Sequence, residues 1–264
     1  MHNSTVFDQG AMWDRLDEDP EQTERLRLLV DLTPADARRV LDVGCGDGRW
    51  LARLTGRCQV HGVEPSAGAR RRSSVPVSNG CATRLAFADG AFDLVGCHQV
   101  LEHLGDVELR QACRELARVA RRYLLISVPC REQLSMRRCR CLDCGTTFNA
   151  DGHVRSFRSA RQIAGRFPGF QVVQSRTYGR SWAYRPRWLG EWIVRLTDRY
   201  AVEPLARCPQ CGQAPEKRPP RRRRVTDRLV DAIEWRVRRV KPRWMTVLLG
   251  RGPTMQPRSD EGND

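Results

Sequence analysis

One stretch limits this chain's folding choices more than any other. The run Arg38 to Val43 (RRVLDV) ends in a turn with glycine at 44, 46 and 48, and a helical pattern, Arg49 to Gly56, begins directly after it. An apolar β-rich run that stops at such a turn and opens a helix is the first unit of an open α/β sheet. The pattern recurs. Gln59 to Glu64 stops at Pro65, and Phe92 to His98 and Tyr123 to Val128 read as further buried strands. Between the last two lies Val107 to Arg122, with Leu109, Cys113, Leu116, Ala117 and Ala120 at helical spacing. Strands alternating with helices predict a doubly wound α/β sheet.

Beyond Pro129 the pattern loosens and then resumes. Ser159 to Gln162 is a capping-box signature opening a helix to Phe167, Gly169 to Tyr178 alternates as a strand, and Arg243 to Leu249 offers a last strand. The expected organisation is a cofactor-binding core over 1–129 and a continuation of the sheet over 130–178. A basic insertion over 179–240, a last core strand within 241–250 and a disordered tail over 251–264 complete it. Residues 1–129 carry 17 Arg against 18 acidic residues, whereas the whole chain is at +15, so the basic excess lies entirely in the second half. All but Lys217 and Lys241 of the 46 cationic residues are arginine, which blunts any argument from arginine number alone. At 264 residues the core is large enough to need no disulfide staples. No uncharged apolar run approaches the ~18 residues of a membrane span, and the N-terminal segment lacks the basic and apolar regions of a secretory signal. The expected location is the cytoplasm.

The turn Asp42 to Gly48 suits a nucleotide-like cofactor, because glycines let the backbone pass close to a ligand and the following helix presents free N–H groups. The dinucleotide spacing G-x-G-x-x-G fails, since counting from Gly44 puts Arg49 at the last position. Glu64, at the end of the second strand, is placed to accept the hydroxyl protons of a ribose.

With these residues in view the sequence resembles class I S-adenosylmethionine-dependent methyltransferases of the type-11 group. The resemblance rests on VLDVGCGDGRW (Val40 to Trp50), VEP (Val63 to Pro65), LAFADGAFDLVGCHQVLEHL (Leu85 to Leu104) and ELARVARRYLLISVP (Glu115 to Pro129). It implies a seven-stranded Rossmann-like sheet. It further implies that Gly44, Gly46 and Gly48, with Cys45 between them, pass under the methionine part of S-adenosylmethionine, that Asp42 orders that loop, that Glu64 holds the ribose, and that the segment Cys97 to Gln99, with His98 at its centre, flanks the methionine amine. Where such proteins commonly read Gly-Asp-Ala, this chain reads Gly80-Cys81-Ala82, so adenine contact would rest on backbone at Cys81 and Ala82.

Of the 11 cysteines, Cys45, Cys58, Cys81, Cys97 and Cys113 stand beside apolar residues and read as small buried hydrophobes. Cys141-Leu-Asp-Cys144-Gly and Cys208-Pro-Gln-Cys211-Gly are different: two C-x-x-C-Gly turns supply four thiolates to a structural Zn2+ if they meet in space. Cys130, Cys139 and His153 are possible substitutes. The segment Val128 to Tyr178, with VPCRE, CLDCGTTF, GHVRSF and GFQVV, is also similar to a bacterial subset of these methyltransferases that carries two cysteine knuckles. That resemblance implies a zinc role and a place near the substrate mouth.

Methyl transfer from a sulfonium is an in-line displacement, for which positioning can suffice and a base is needed only when the acceptor must lose a proton. His103, just past the fourth strand, is the candidate base, and His153 and Arg155 are candidates to face the acceptor. Trp188, Leu189, Trp192, Ile193 and Leu196 form a helical stripe beside Arg187, Arg195 and Arg199, suited either to a lid over an apolar acceptor or to peripheral membrane contact through residues 185–200. The run Arg221 to Arg224 could meet RNA phosphates. The favoured reading is a methyltransferase acting on a small-molecule or lipid- or sugar-linked acceptor. An RNA-modifying methyltransferase and a catalytically idle cofactor-binding protein, suggested by Cys81, are the alternatives.

Overall fold

The computed structural model describes residues 20–252 except 185, 187, 198–199, 202, 204, 215–227, 229, 231 and 233–235. The arginine run Arg221 to Arg224, Trp235, Arg187 and Arg199 therefore lie outside the described residues, as does the expected tail from 253 onward. No described helix is long and apolar enough to cross a membrane.

The first element is α1 (Pro20–Asp31), which the sequence reading did not anticipate. Proline suits the first turn of a helix, where its missing N–H is not needed, and Leu26 and Leu29 point one stripe at the sheet. There follow β1 (Arg39–Val43), α2 (Arg49–Ala52), β2 (Gln59–Val63), α3 (Ala67–Arg72), β3 (Val77–Ser78), β4 (Phe92–His98), α4 (Asp106–Val119) and β5 (Ala120–Pro129). Then come β6 (Arg138–Arg140), β7 (Thr147–Asn149), α5 (Ala160–Ala164), β8 (Phe170–Tyr184), α6 (Trp188–Thr197) and β9 (Arg238–Arg251). Seven strands form one sheet in the order β3-β2-β1-β4-β5-β9-β8, parallel through β5, with β9 antiparallel to both its neighbours. The doubly wound α/β expectation stands.

Strand residues alternate between two cores, which is why these segments read as continuous apolar runs. Leu41, Val43, Val95, Leu124, Ile126 and Val247 pack on one face with Leu109, Cys113 and Leu116 of α4. Val40, Leu94, Leu125 and Leu248 pack on the other with α1 and with Trp50, Leu51 and Leu54.

Several expected boundaries move. The helix expected from Val107 to Arg122 ends at Val119, because Ala120 already pairs with Phe92 and Arg121 reaches the Asp93 carboxylate at 2.6 Å. The helix after the glycine turn stops at Ala52, and that expected to reach Phe167 stops at Ala164 although Ser159 caps it by accepting the Gln162 N–H. Strand β8 runs past Tyr178 to Tyr184, and β9 starts at Arg238, well before Arg243. The two pair along their whole length, whereas β5 meets β9 only from Trp244 to Gly250, so their outer parts form a ribbon beyond the sheet.

The chain between β5 and α5 returns to the core at Phe157, which is 1% exposed, bridges Cys130 and accepts the Arg131 N–H through its carbonyl at 2.7 Å. Phe157→Ala should therefore cost about 3–5 kcal/mol in urea unfolding, as large core truncations do. The same truncation at Leu142, 42% exposed, should cost no more than about 0.5 kcal/mol.

Candidate functional site

The C-terminal ends of β1, β2 and β4 open into one cavity of about 560 Å³. Its floor is the glycine turn. Gly44 sits at φ +76°, and a Cβ there would lie 2.3 Å from the Val100 side chain, so only glycine fits. The turn is tied to the end of β2 by Gly44 N–H to the Val63 carbonyl, 2.7 Å, and by Gly46 N–H to Glu64 Oε2, 3.0 Å. The other Glu64 oxygen accepts the Ser66 N–H at 2.9 Å. A carboxylate has about four acceptor positions, so these bonds do not exhaust it.

Around this floor several polar side chains are enclosed without a partner. Asp42 is buried, its Oδ1 unbonded and 3.9 Å from His98 Nε2. Burial pushes its carboxyl up to about 7, Arg25 opposing and Glu64 adding to the shift. His98 has no hydrogen bond on either ring nitrogen; burial, and then Arg25, hold it well below its ordinary value, so it is a neutral imidazole at pH 7. Trp50 Nε1, Gln99 Nε2 and Arg25 Nε are likewise unmatched. Gln99 also has φ +58°, a left-handed conformation that a non-glycine residue holds only under constraint. Unmatched donors and acceptors converging on one cavity are expected where a polar ligand supplies the partners.

Of the residues singled out from the sequence, Asp42, Gly44, Cys45, Gly46, Glu64, Cys81, Ala82, His98, His103 and His153 all line the cavity. Cys97 does not; its side chain is fully buried in the main core. Gly48 lies just beyond, capping α2 at φ +77°. Arg155 is turned away: its guanidinium donates to the Leu104 carbonyl at 2.9 Å and pairs with Asp106 at 3.1 Å. Gln99, the last residue of the segment expected at the methionine amine, also lines the cavity, whereas sequence reasoning missed Gln22 and Arg25, which α1 brings over it. Among so many arginines only the position of Arg25, one turn before the core residue Leu29, could have marked it.

The opposite wall comes from the second half of the chain: Thr147, Phe148 and Asn149 of β7, Gly152 to Val154, and Pro209. Strands β6 and β7 form a hairpin with Cys141 to Cys144 at its tip. The two C-x-x-C-Gly turns are built alike. Gly145 N–H donates to the Cys141 carbonyl at 3.1 Å and Gly212 N–H to the Cys208 carbonyl at 2.8 Å, the glycines at φ +74° and +79°. The four sulfurs lie within 4.8 Å of one another, Cys141 with Cys211 and Cys144 with Cys208 both at 3.5 Å. Zn–S bonds of about 2.3 Å in a tetrahedron put sulfurs about 3.8 Å apart, so the cluster fits such an ion. Cys139 is not part of it, its Sγ lying 3.0 Å from the Ala201 carbonyl; Cys130 is buried in the main core, and His153 faces the cavity.

The model of a methyltransferase domain family matches residues 15–175. The uncharacterized methyltransferase YcgJ of Bacillus subtilis (strain 168) is 30% identical over 141 residues, 48% of this chain and 55% of the relative. The chain thus spans about half the length of that relative. The crystal structure of YcgJ superposes with a TM-score of 0.50 at 18% identity, covering 86% of this chain and 97% of that one. The N-methyltransferase NodS from Bradyrhizobium japonicum WM9, in complex with S-adenosyl-L-homocysteine, superposes with a TM-score of 0.51 at 14% identity, covering 90% and 91%. At these identities the likeness is one of fold.

Because the folded state raises the Asp42 carboxyl from 3.8 to about 7, it holds a proton the unfolded chain has already lost near pH 4. This group's contribution to stability is full below pH 4 and is lost as pH rises through 7. Thermal melts of Asp42→Asn and the parent should diverge accordingly, the variant's advantage growing from pH 5 to pH 8.

Proposed function

Since the chain belongs to the methyltransferase domain family, we propose that it transfers the methyl group of S-adenosylmethionine to a small-molecule or lipid- or sugar-linked acceptor. The observation that carries this reading is the single cavity whose floor is the glycine turn and whose far wall is the cysteine-knuckle module. The cofactor, when bound, supplies an electrophilic methyl group. Glu64 would hold the ribose hydroxyls, as its place at the end of β2 and its contact with the Gly46 N–H suggest. Asp42, Gln99 and Arg25 would meet the charged ends of the methionine portion, which explains their unmatched polar atoms. The adenine would lie along Cys81 and Ala82, where the Cys81 thiol already faces the Thr83 hydroxyl at 3.2 Å, leaving backbone for recognition.

The acceptor end lies between His103, His153 and the knuckle wall. His103 is the candidate proton acceptor for a substrate that must lose a proton, and His153 the candidate contact. The Cys141, Cys144, Cys208 and Cys211 cluster is proposed to hold a structural zinc. Four protein thiolates fill a tetrahedral site, so this ion would brace the wall rather than activate a substrate.

A lipid-linked acceptor finds support in the second half of the chain. The tryptophan stripe splits: Leu189 and Ile193 pack inward on Tyr184, while Trp188 and Trp192 on α6 are 65% and 49% exposed, as is Trp182 on β8 at 50%. Exposed tryptophans on a basic module suit the headgroup region of a membrane, as proposed for residues 185–200. The RNA alternative lacks a comparable observation, its arginine run lying outside the described residues.

Calorimetry with S-adenosylhomocysteine should give micromolar binding, weakened at least tenfold by Glu64→Ala; incubation with methyl-labelled cofactor and fractionated lysate should label a lipid or small-molecule fraction. No binding would refute the cofactor assignment, and label confined to RNA would refute the acceptor class. Elemental analysis should find at least one zinc per chain, and Cys141→Ser with Cys208→Ser should remove one equivalent. Its removal by a chelator should lower the melting temperature and weaken acceptor turnover more than cofactor binding, because the cysteine cluster borders only the far wall.

A further inference from the structure

Behind the acceptor end stands a second group of metal-ligand side chains, on different residues from the cysteine cluster. Glu102, His103 and His153 each offer one ligand atom, and these atoms lie within 4.8 Å of one another. We propose that these three side chains hold a divalent first-row metal ion at the acceptor end of the cavity.

Three features carry this. The first is the state of Glu102: the residue is 0% exposed, and neither carboxylate oxygen has a hydrogen-bond partner. An enclosed carboxylate without partners is strongly disfavoured, and taking up a proton would still leave both oxygens without hydrogen-bond partners. A cation between Glu102 and the two imidazoles satisfies them. The second is the disposition of the rings. His103 and His153 have centroids 4.8 Å apart with planes at 70°. Two imidazoles bound side by side to one ion at about 2.1 Å place their centroids roughly 4.5 to 5.3 Å apart.

The third is the support behind His153. Its Nδ1 pairs with Glu132 Oε2 at 2.7 Å, which leaves Nε2 as the nitrogen to ligate. A carboxylate that fixes a ligating histidine through its other nitrogen is the usual outer shell of a metal site. The two carboxylates, Glu102 and Glu132, also balance the ion's charge, and the backbone sets the geometry: the Val154 N–H donates to the Glu102 carbonyl at 2.9 Å, locking the His153 loop onto the Glu102-His103 turn.

Two imidazoles and one carboxylate leave coordination positions open, and since His103 and His153 line the cavity, those positions face the acceptor. The ion would therefore orient an oxygen-bearing acceptor and ease its proton loss, and His103 would act as a ligand rather than as the base. This consequence rests on the methyltransferase reading; ion binding does not.

Mn2+ is the probe, because thiolate clusters select softer ions and leave it in solution. Titration into purified full-length protein, followed by the electron paramagnetic resonance of the free ion, should remove one equivalent per chain at micromolar concentration. Glu102→Gln and His153→Gln should each weaken binding on the order of a hundredfold and Glu132→Gln about tenfold, while the remote His61→Gln binds as the parent does. If Glu102→Gln fails to fold, as its melt would show, His103→Gln provides the same reading from a half-buried position. A free-ion signal persisting to millimolar Mn2+, or unchanged binding in the histidine variants, overturns the site. S-adenosylhomocysteine binding measured on the same samples reports separately on the methyltransferase assignment.

Discussion

The contact on which the cavity depends is the one between the Gly46 N–H and the Glu64 carboxylate. It joins the turn after β1 to the end of β2, so two neighbouring parallel strands present one continuous rim. Everything polar at the cofactor end is arranged against that rim: Asp42 beneath it, His98 and Gln99 at the end of β4, and Arg25 from α1. The cost is visible in the same place. Asp42 and His98 are enclosed without hydrogen bonds, and Gln99 holds a left-handed backbone. Such local debts are tolerated where a ligand settles them.

The second half of the chain completes the cavity from the other side. Its hairpin and the Cys208 to Cys211 turn meet at four sulfurs, and among the described residues the apolar cluster beside them is small, with Cys139, Ala150 and Ala206 as its buried members. Small domains with little to bury often recruit metals as cross-links, and the proposed zinc would serve this module in that way. Because Phe148, Asn149 and Pro209 from this module line the cavity, bracing it also sets the width of the acceptor end.

Much of this was legible in the residues, and the limits have physical causes. The glycine turn, the strands through β5 and Glu64 announced themselves because each depends on local pattern: apolar runs, positive-φ glycines, an acid at a strand end. The paired C-x-x-C-Gly turns were equally plain, although their meeting across the intervening chain was not. What escaped was set by distant partners. The outer lengths of β8 and β9 arise from pairing with each other, as Trp182 with Val240, on either side of a long connection. Arg25 matters because α1 lies across the sheet, a packing choice no local signal encodes. Glu102 gives no local sign of its burial beyond standing next to His103; its complete enclosure accompanies the contact of the His153 loop with it, through the Val154 N–H and the Glu102 carbonyl.

Amide hydrogen exchange with and without S-adenosylhomocysteine tests the central claim, that one cavity joins a cofactor rim to a knuckle wall, most directly. Slowed exchange is expected at residues 43–49, 63–66, 81–82 and 98–100, with little change along the outer ribbon of β8 and β9. Protection confined to the second half of the chain, or none at saturating ligand, would contradict it.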